Sequence, residues 1–274
     1  MTLGLSDTQL QSFWEQGFVV VEDLFSAHEV EVMRKAFHGL QEVAESFEIQ
    51  DKEAFEYRGS YLVLEPYTQN GQSGIKIHRI AWCGALEPTL LDYGADPRLL
   101  VPAAQILGMG SMEQLINQAH FKMPNDGVAF GWHQDSSNRR YGTPLWKDIN
   151  GTGSYVQTAI AVDPMTEENG PMFFVPGSHK HGHLELHGKS EEELLEIFDP
   201  DDAVPTIMKA GSVAFFGPFT IHCSFPNRSK EARRLFVNGY ACPGANFREY
   251  PGEGVGRLLH AEGWKPTTRK AANS

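Results

Sequence analysis

The stretch GSVAFFGPFTIHCS, residues 211–224, decides the fold class of this chain. A Gly-Ser turn signal precedes an apolar run, a Gly-Pro pair breaks that run, and His222 ends the next short apolar run. Short apolar runs bounded by such turn signals are typical of buried strands, because helices need longer periodic segments. The stretch therefore predicts two short strands, with a histidine at the end of the second.

The same short pattern continues along the chain from about Gly59. Segments rich in β-formers and separated by Gly, Pro and Asn turns predict further strands at Tyr61–Leu64, Gly74–Ile80, Leu115–Met123, Tyr155–Val162, Met172–Val175, Ser212–Phe216 and Leu235–Tyr240. Helical inserts are predicted near Pro97–Leu107 and Ser190–Phe198. This arrangement indicates an α+β fold whose core is a β-sandwich or jelly roll.

The N-terminal sequence LSDTQLQSFWEQGFVVVEDLFSAHEVEVMRKAF predicts a helix, a strand and a second helix. Ser6 or Asp7 caps the first helix, Gly17 ends it, and Ser26 caps the second. We expect one domain over residues 1–274, with a helical flank at 1–58, a β core over about 59–250 and a flexible tail from 264 to 274.

Composition narrows the class of protein and of partner. The 274 residues are 41% hydrophobic, enough for a full core, and no apolar stretch approaches the roughly 18 residues of a membrane span. The first residues lack the order of a signal peptide, which predicts a cytoplasmic protein. Three scattered cysteines exclude a disulfide framework, and a net charge of −12 disfavours nucleic acid. We expect a small-molecule partner and leave the oligomeric state open.

Three His-x-acid triplets offer candidate metal ligands: His133/Asp135, His183/Glu185 and His260/Glu262. Residues i and i+2 of a strand share a face, and only the first triplet follows a strong predicted strand. His222 is the best third ligand. Two imidazoles and a carboxylate would leave about half of an octahedral iron(II) sphere open, which suits oxygen activation. The H-E-x-x-H motif of zinc hydrolases is absent.

Five features in a fixed order resemble one enzyme family: GFVVVEDLFS, WHQD, ENGPMFFVPGSHK, GSVAFFGPFTIHCS and Arg233. Together they look like the phytanoyl-CoA dioxygenase family of Fe(II)/2-oxoglutarate oxygenases, over roughly Leu5 to Ala241. The resemblance implies a double-stranded β-helix (jelly-roll) core and an Fe(II) ion bound by His133, Asp135 and His222.

The resemblance also implies a site for 2-oxoglutarate. Arg233, 11 positions after His222, matches the basic residue that pairs with the far carboxylate of this cosubstrate. A guanidinium fits a carboxylate bidentately, and strand alternation sends Arg234 to the opposite face. Ser224 matches a hydroxyl that touches the cosubstrate. Further cosubstrate or substrate contacts are expected from Gln118, Lys122 and Lys76.

The predicted reaction couples decarboxylation of 2-oxoglutarate, giving succinate and CO2, to O2-dependent hydroxylation of the substrate, with ascorbate in support. Related halogenases have Gly or Ala where this chain has Asp135, so the carboxylate favours hydroxylation. We expect a small polar, anionic substrate of the amino acid or phosphonate type. Arg139 or Arg140, with Asn138, would hold it, because these residues follow Asp135 closely in an otherwise acidic chain.

Other interpretations stay open from sequence alone. An acyl-CoA or a natural-product intermediate is the alternative substrate, although an acyl-CoA fits less well because it calls for a larger basic patch. A cupin-type metalloenzyme fits the spacing of Gly127 and His133, but Asp135 replaces its second histidine. A jelly-roll binding module without chemistry would need no Arg233 beside the triad. The histidine-rich tract at residues 179–183 is expected to be structural.

Overall fold

A computed structural model describes residues 3–69 and 72–264. The N-terminal prediction is confirmed. Helix α1 (Asp7–Gln16) begins at a capping box made by Ser6 and ends at Gly17, whose φ of 89° is left-handed. Strand β1 (Phe18–Val21) follows, and a second capping box at Ser26 begins helix α2 (Ala27–Glu45).

Strand β1 and the strands that follow it form two antiparallel sheets. In chain order these strands are β2 (Glu53–Tyr57), β3 (Ser60–Gln69), β4 (Gln72–Ala81), β5 (Ser111–Lys122), β6 (Phe130–His133), β7 (Tyr155–Ala161), β8 (Met172–Phe174), β9 (Val204–Pro205), β10 (Val213–Phe216), β11 (His222–Ser224), β12 (Arg233–Ala241) and β13 (Arg257–His260). The larger sheet has the order β1-β10-β7-β12-β5-β4-β3-β2, with β13 also paired to β5, and the smaller has the order β6-β11-β8-β9. The fold is therefore a mixture of helices and antiparallel sheets.

From β5 to β12 the chain passes back and forth between the two sheets, with β8 and β9 as one consecutive pair in the smaller sheet. The larger sheet contains β5, β7, β10 and β12, and each is followed or preceded by strands of the smaller sheet. This alternation places β6 beside β11, although nearly 90 residues separate them in sequence. The pairing sets His222 directly opposite His133.

In the described residues, four α-helices follow α1 and α2. They are α3 (Pro88–Tyr93), α4 (Pro97–Leu107) and two short helices, α5 (Asp135–Asn138) and α6 (Glu191–Leu195). The helix predicted at Pro97–Leu107 is confirmed, and most of its residues are buried. Helix α2 packs on the larger sheet through Phe37, whose ring lies 5.2 Å from that of Phe121. These helices cover the larger sheet and help to bury its hydrophobic side chains.

Two strands lie outside the limits expected for the β core. Residues 53–57, within the flank predicted as helical, form β2, because Phe55 and Tyr57 alternate onto one face and both contact Phe47. Strand β13 follows residue 250 and pairs with β5. The side chain of Trp264 packs near Gly110, and the rest of the predicted tail, residues 265–274, lies outside the described residues.

Two further expectations concern cysteine and membranes. Cys83, Cys223 and Cys242 are all buried free thiols, in agreement with the expected lack of a disulfide framework. In the part of the chain that the structure describes, no helix is both long and apolar enough to cross a bilayer.

Candidate active site

A cavity of about 500 Å³ is lined by residues of both sheets. The larger sheet contributes Gln118 and Arg233, and the smaller contributes His133, His222 and Ser224. Cavities of this size suit small-molecule ligands. The cavity therefore brings together the two strand ends that the sequence singled out.

His133, Asp135 and His222 lie together on the wall of this cavity. The rings of the two histidines are 4.1 Å apart between centroids, and one ligand atom from each of the three residues lies within 4.8 Å of the others. Over residues 3–69 and 72–264, no other group of three His, Cys, Asp or Glu side chains meets so closely. The geometry is that of a metal site.

Local hydrogen bonds orient the two imidazoles for a metal. The Nδ1–H of His133 donates to the carbonyl of Gly131 at 2.8 Å, and that of His222 donates to the carbonyl of Thr220 at 2.9 Å. This fixes the tautomer with an unprotonated Nε2, the form that coordinates a metal. Burial lowers the pKa of His222 to about 4, which keeps this ring neutral.

The carboxylate completes a donor set that fits a divalent cation. The side chain of Asp135 is 4% exposed, and its Oδ2 is buried without any hydrogen-bond partner. A buried carboxylate oxygen without a donor is costly unless a cation occupies the adjacent space. Two neutral imidazoles and one carboxylate are the ligands that non-haem iron(II) takes.

The route by which Asp135 reaches the site differs from the strand geometry expected. Strand β6 ends at His133, and Asp135 is the first residue of helix α5. The buried Gln134 between them fixes the turn, since its amide donates to the carbonyls of Gly182 and Phe219. The two ligands are thus brought together by a strand-to-helix turn rather than by a shared strand face.

Arg233 and Arg234 point to opposite faces of β12, as alternation predicts. Arg233 is 1% exposed and lines the cavity, where its Nη2 donates to the carbonyl of Gly170 at 2.7 Å and its Nε has no partner. Burial lowers the pKa of Arg233 to about 9. Arg234 instead forms an ion pair with Asp163 at 2.7 Å outside the cavity.

The other residues expected near the cosubstrate occupy three different positions relative to the cavity. Gln118 lines the cavity, and its Oε1 accepts from His120. Lys122 is buried and does not line the cavity; its Nζ donates to Ser224 Oγ at 2.8 Å and to the carbonyl of Phe225. Burial lowers the pKa of Lys122 to about 6. Lys76 is also away from the cavity wall, and its Nζ lies 3.2 Å from Glu65 Oε1.

Of the residues expected to hold the substrate, Arg139 and Asn138 line the cavity and Arg140 does not. Arg139 is 6% exposed, and its guanidinium lies 5.1 Å from the ring centroid of Tyr155 and 4.9 Å from that of Tyr250. Arg140 is exposed and has a left-handed φ of 62°. The turn that buries Arg139 therefore directs its neighbour toward solvent.

Sequence reasoning missed several residues of the cavity wall. Arg79 and Tyr61 come from β4 and β3, and Arg248 and Tyr250 come from the segment after β12. No local motif marks them, since they meet only through the pairing of distant strands. The one available signal is that Arg79 and Arg248 are basic residues in a strongly acidic chain.

The histidine-rich tract at 179–183 makes structural contacts. The Nε2–H of His179 donates to the carbonyl of Trp14 at 3.1 Å, which joins the tract to the end of α1. His183 is 2.8 Å from Ser136 Oγ and 2.9 Å from Glu185 Oε1. None of the three histidines lines the cavity.

Comparison with known proteins gives a consistent result. The family model for phytanoyl-CoA dioxygenase (PhyH) matches residues 13–235. An ectoine dioxygenase of Bordetella parapertussis is 29% identical over 246 residues, covering 82% of this chain and 71% of that protein. A methylphosphonate hydroxylase of Gimesia maris is 24% identical over 254 residues, covering 91% and 86%.

The fold is shared with a solved structure, that of EctD from S. alaskensis with 2-oxoglutarate and 5-hydroxyectoine. It superposes with a TM-score of 0.70 at 23% identity, over 90% of this chain and 80% of that one. The family match, which covers most of the chain, is decisive. The chain belongs to the phytanoyl-CoA dioxygenase family and is a non-haem iron, 2-oxoglutarate-dependent dioxygenase.

Proposed function

We propose that this dioxygenase hydroxylates a small polar, anionic metabolite and releases succinate and CO2 from 2-oxoglutarate. The observation that carries the proposal is the placement of buried Arg139 in the same cavity wall as His133, Asp135 and His222. A substrate anion bound by Arg139 would be held beside the metal. Relatives named for ectoine and for methylphosphonate support a small substrate with an anionic group.

His133, Asp135 and His222 would hold the Fe(II) ion, which when bound supplies O2 activation for oxidation of a C–H bond. The carbonyls of Gly131 and Thr220 keep the two rings oriented. Asp135 contributes the single negative charge among the ligands.

Arg233 would bind the far carboxylate of 2-oxoglutarate, since it is a buried residue of the cavity wall whose Nε–H has no partner. Ser224 lines the same wall and would donate its hydroxyl hydrogen to that carboxylate. Lys122 would act through Ser224 and not by direct contact, because its Nζ donates to Ser224 Oγ and so orients the hydroxyl. Gln118 is a second cavity contact.

The two sheets would form a double-stranded β-helix. Support comes from the alternation of strands β5 to β12 between the sheets and from the antiparallel pairing within each. In that arrangement the site lies between the sheets of a single domain, and β13 and the helices extend it. We place the enzyme in the cytoplasm, as the sequence predicts.

The test is succinate formation with Fe(II), ascorbate and 2-oxoglutarate against a panel of amino acids, phosphonates and acyl-CoA esters. We expect an anionic small molecule to raise succinate above the substrate-free rate and to gain one oxygen atom by mass spectrometry. His222→Ala should lose bound iron and this coupled turnover, while His38→Ala, on the exposed surface of α2, should keep both. Coupled turnover with full iron content in His222→Ala would overturn the assignment.

A further inference from the structure

Three arginines that are distant in sequence meet on the cavity wall, and we call Arg79, Arg139 and Arg248 the arginine cluster. Arg139 and Arg248 both lie against the ring of Tyr250, at 4.9 and 5.1 Å from its centroid. A hydrogen bond from Arg248 Nη1 to the carbonyl of Asn138 ties their segments together. Arg79 is exposed at the rim; partial desolvation, and then the positive charges of Arg139 and Arg248, lower its pKa.

The arginine cluster lacks the acidic partners that arginines elsewhere in this chain have. Arg34, Arg98 and Arg234 each form an ion pair with Asp or Glu, whereas across the described residues no member of the cluster does. Arg139 is nine-tenths buried, and its Nε and Nη1 have no hydrogen-bond partner. Buried donors without acceptors are costly, so these groups point to a ligand.

The charges of the cavity indicate how negative that ligand is. Asp135 is the one carboxylate among the lining residues, which also include Arg233. In the proposed function, a divalent metal and Arg233 are balanced by Asp135 and the two negative charges of 2-oxoglutarate. The three positive charges of the arginine cluster remain unbalanced. A single carboxylate on the substrate would neutralise only one of them.

We propose that the arginine cluster binds a dianionic, tetrahedral oxyanion head group of the substrate, of the phosphonate or phosphate monoester kind. The inference rests on the proposed function and narrows its substrate class. One guanidinium fork satisfies a planar carboxylate bidentately. Three guanidinium groups from separate segments suit instead a group with three acceptor oxygens and two charges.

The experiment is calorimetric titration of the protein loaded with Fe(II) and 2-oxoglutarate under nitrogen, which prevents turnover. The probes are methylphosphonate, methyl phosphate and methanesulfonate, at a pH above the second pKa of both phosphorus compounds. Methanesulfonate has the same tetrahedral shape but a single charge. We expect at least one phosphorus probe to bind roughly tenfold or more tightly than methanesulfonate, since the added charge strengthens each hydrogen bond. The tighter of the two identifies the source of the head group.

Variants locate the binding. Arg248→Gln and Arg79→Gln should each weaken binding of the phosphorus probe by roughly tenfold. The matched control is Arg58→Gln, because Arg58 lies 5.1 Å from the centroid of the Tyr57 ring in a similar stack but outside the cavity. The affinity of this variant for the phosphorus probe should not change.

Three results would overturn the head-group assignment: no binding of either phosphorus probe, equal affinity for methanesulfonate, or unchanged affinity in both cluster variants. Titration of 2-oxoglutarate into the same Fe(II)-loaded protein separates this failure from failure of the proposed function. If 2-oxoglutarate binds and the phosphorus probes do not, only the head-group assignment fails. If 2-oxoglutarate does not bind, the proposed function itself fails.

Discussion

Arg233 and Arg234 are neighbours in sequence with opposite surroundings. The guanidinium of Arg234 donates to both carboxylate oxygens of Asp163, at 2.7 and 2.9 Å, so its charge is compensated within the protein. Arg233 has a single carbonyl acceptor, and burial has lowered its pKa. Strand parity explains why the two side chains face opposite ways. Parity does not say which of them faces the cavity, and Arg233 was selected by the family resemblance, which places a basic residue 11 positions after His222.

Replacing Arg233 by Lys tests the cosubstrate contact. Arg233→Lys retains the charge but loses the planar fork, so affinity for 2-oxoglutarate should fall by roughly ten- to hundredfold, or about 1.5–3 kcal/mol. Iron binding should change little, because Arg233 is not a metal ligand in the proposed site. Calorimetric titration of 2-oxoglutarate measures the effect, and an unchanged affinity would assign the contact to another basic group.

His120 is a titratable residue of the cavity wall that does not bind the metal in the proposed site. Its ring stacks on Phe130 at 5.1 Å, and its Nε2–H donates to Gln118 Oε1 at 2.9 Å. Burial, and then the positive charges of Arg79, Arg233 and Lys122, lower the pKa of His120 to about 3. The ring is therefore neutral throughout the physiological pH range.

This lowered pKa makes the stability depend on pH. In the unfolded chain His120 takes up a proton below about pH 6.5, whereas in the folded protein it does so only near pH 3. Stability contributed by the neutral ring is therefore lost as pH falls from about 6.5 to 3. Between pH 7.5 and 5, we expect wild type to lose about 1–2 kcal/mol more than His120→Gln in urea unfolding. Equal losses in the two proteins would show that His120 is not held neutral.

At the scale of elements, the sequence predicts those whose signals are local. The capping box and Gly17 set the bounds of α1, and the Gly-Ser and Gly-Pro turn signals in GSVAFFGPFTIHCS set those of β10. His133 ends β6 as predicted, whereas His222 is the first residue of β11, so the prediction that a histidine ends the second strand was wrong. Their direct pairing across β6 and β11 depends on the alternation between sheets, which no single segment encodes.

The cavity residues that the sequence did not predict depend on the pairing of distant strands. Arg79 reaches the cavity because β4 pairs with β5, and Arg248 does so from the segment after β12. Arg140 was a candidate because it adjoins Arg139, but the turn after α5 reverses its direction. Helix α5 itself has only four residues, too few for a periodic hydrophobic signal.

The two Ser-x-x-Glu capping boxes provide a matched test of element stability. The box of Ser26 and Glu29 begins α2, which buries six side chains, whereas that of Ser190 and Glu193 begins α6, which buries none. Ser26→Ala should lower the free energy of unfolding by about 1 kcal/mol. Ser190→Ala should change global unfolding less, because α6 has no fully buried side chain and only Leu194 of this helix packs against a hydrophobic cluster. Thermal melts of the two variants compare them, and equal shifts would contradict the argument.

Over the whole molecule, the charge distribution is strongly uneven. The chain has a net charge of −12, yet four arginines and one carboxylate line the candidate active-site cavity. Two of these arginines, Arg139 and Arg233, are almost fully buried with unused donors. Such groups lower the stability of the ligand-free protein and become favourable only when anions bind, which is a common cost of function.

Arg233→Met and Arg234→Gln test this trade-off on neighbouring residues. In wild type, 2-oxoglutarate at about a hundred times its Kd in the presence of Fe(II) should add about 2.7 kcal/mol, or roughly 5–10 °C in Tm. Arg233→Met removes an uncompensated buried cation, so its ligand-free Tm should rise by about 2–5 °C while the gain from 2-oxoglutarate disappears. Arg234→Gln leaves Asp163 without its closest partner and should lower the ligand-free Tm, yet keep the full gain from 2-oxoglutarate. A lower ligand-free Tm in Arg233→Met together with a retained gain would mean that Arg233 supports the fold rather than the cosubstrate.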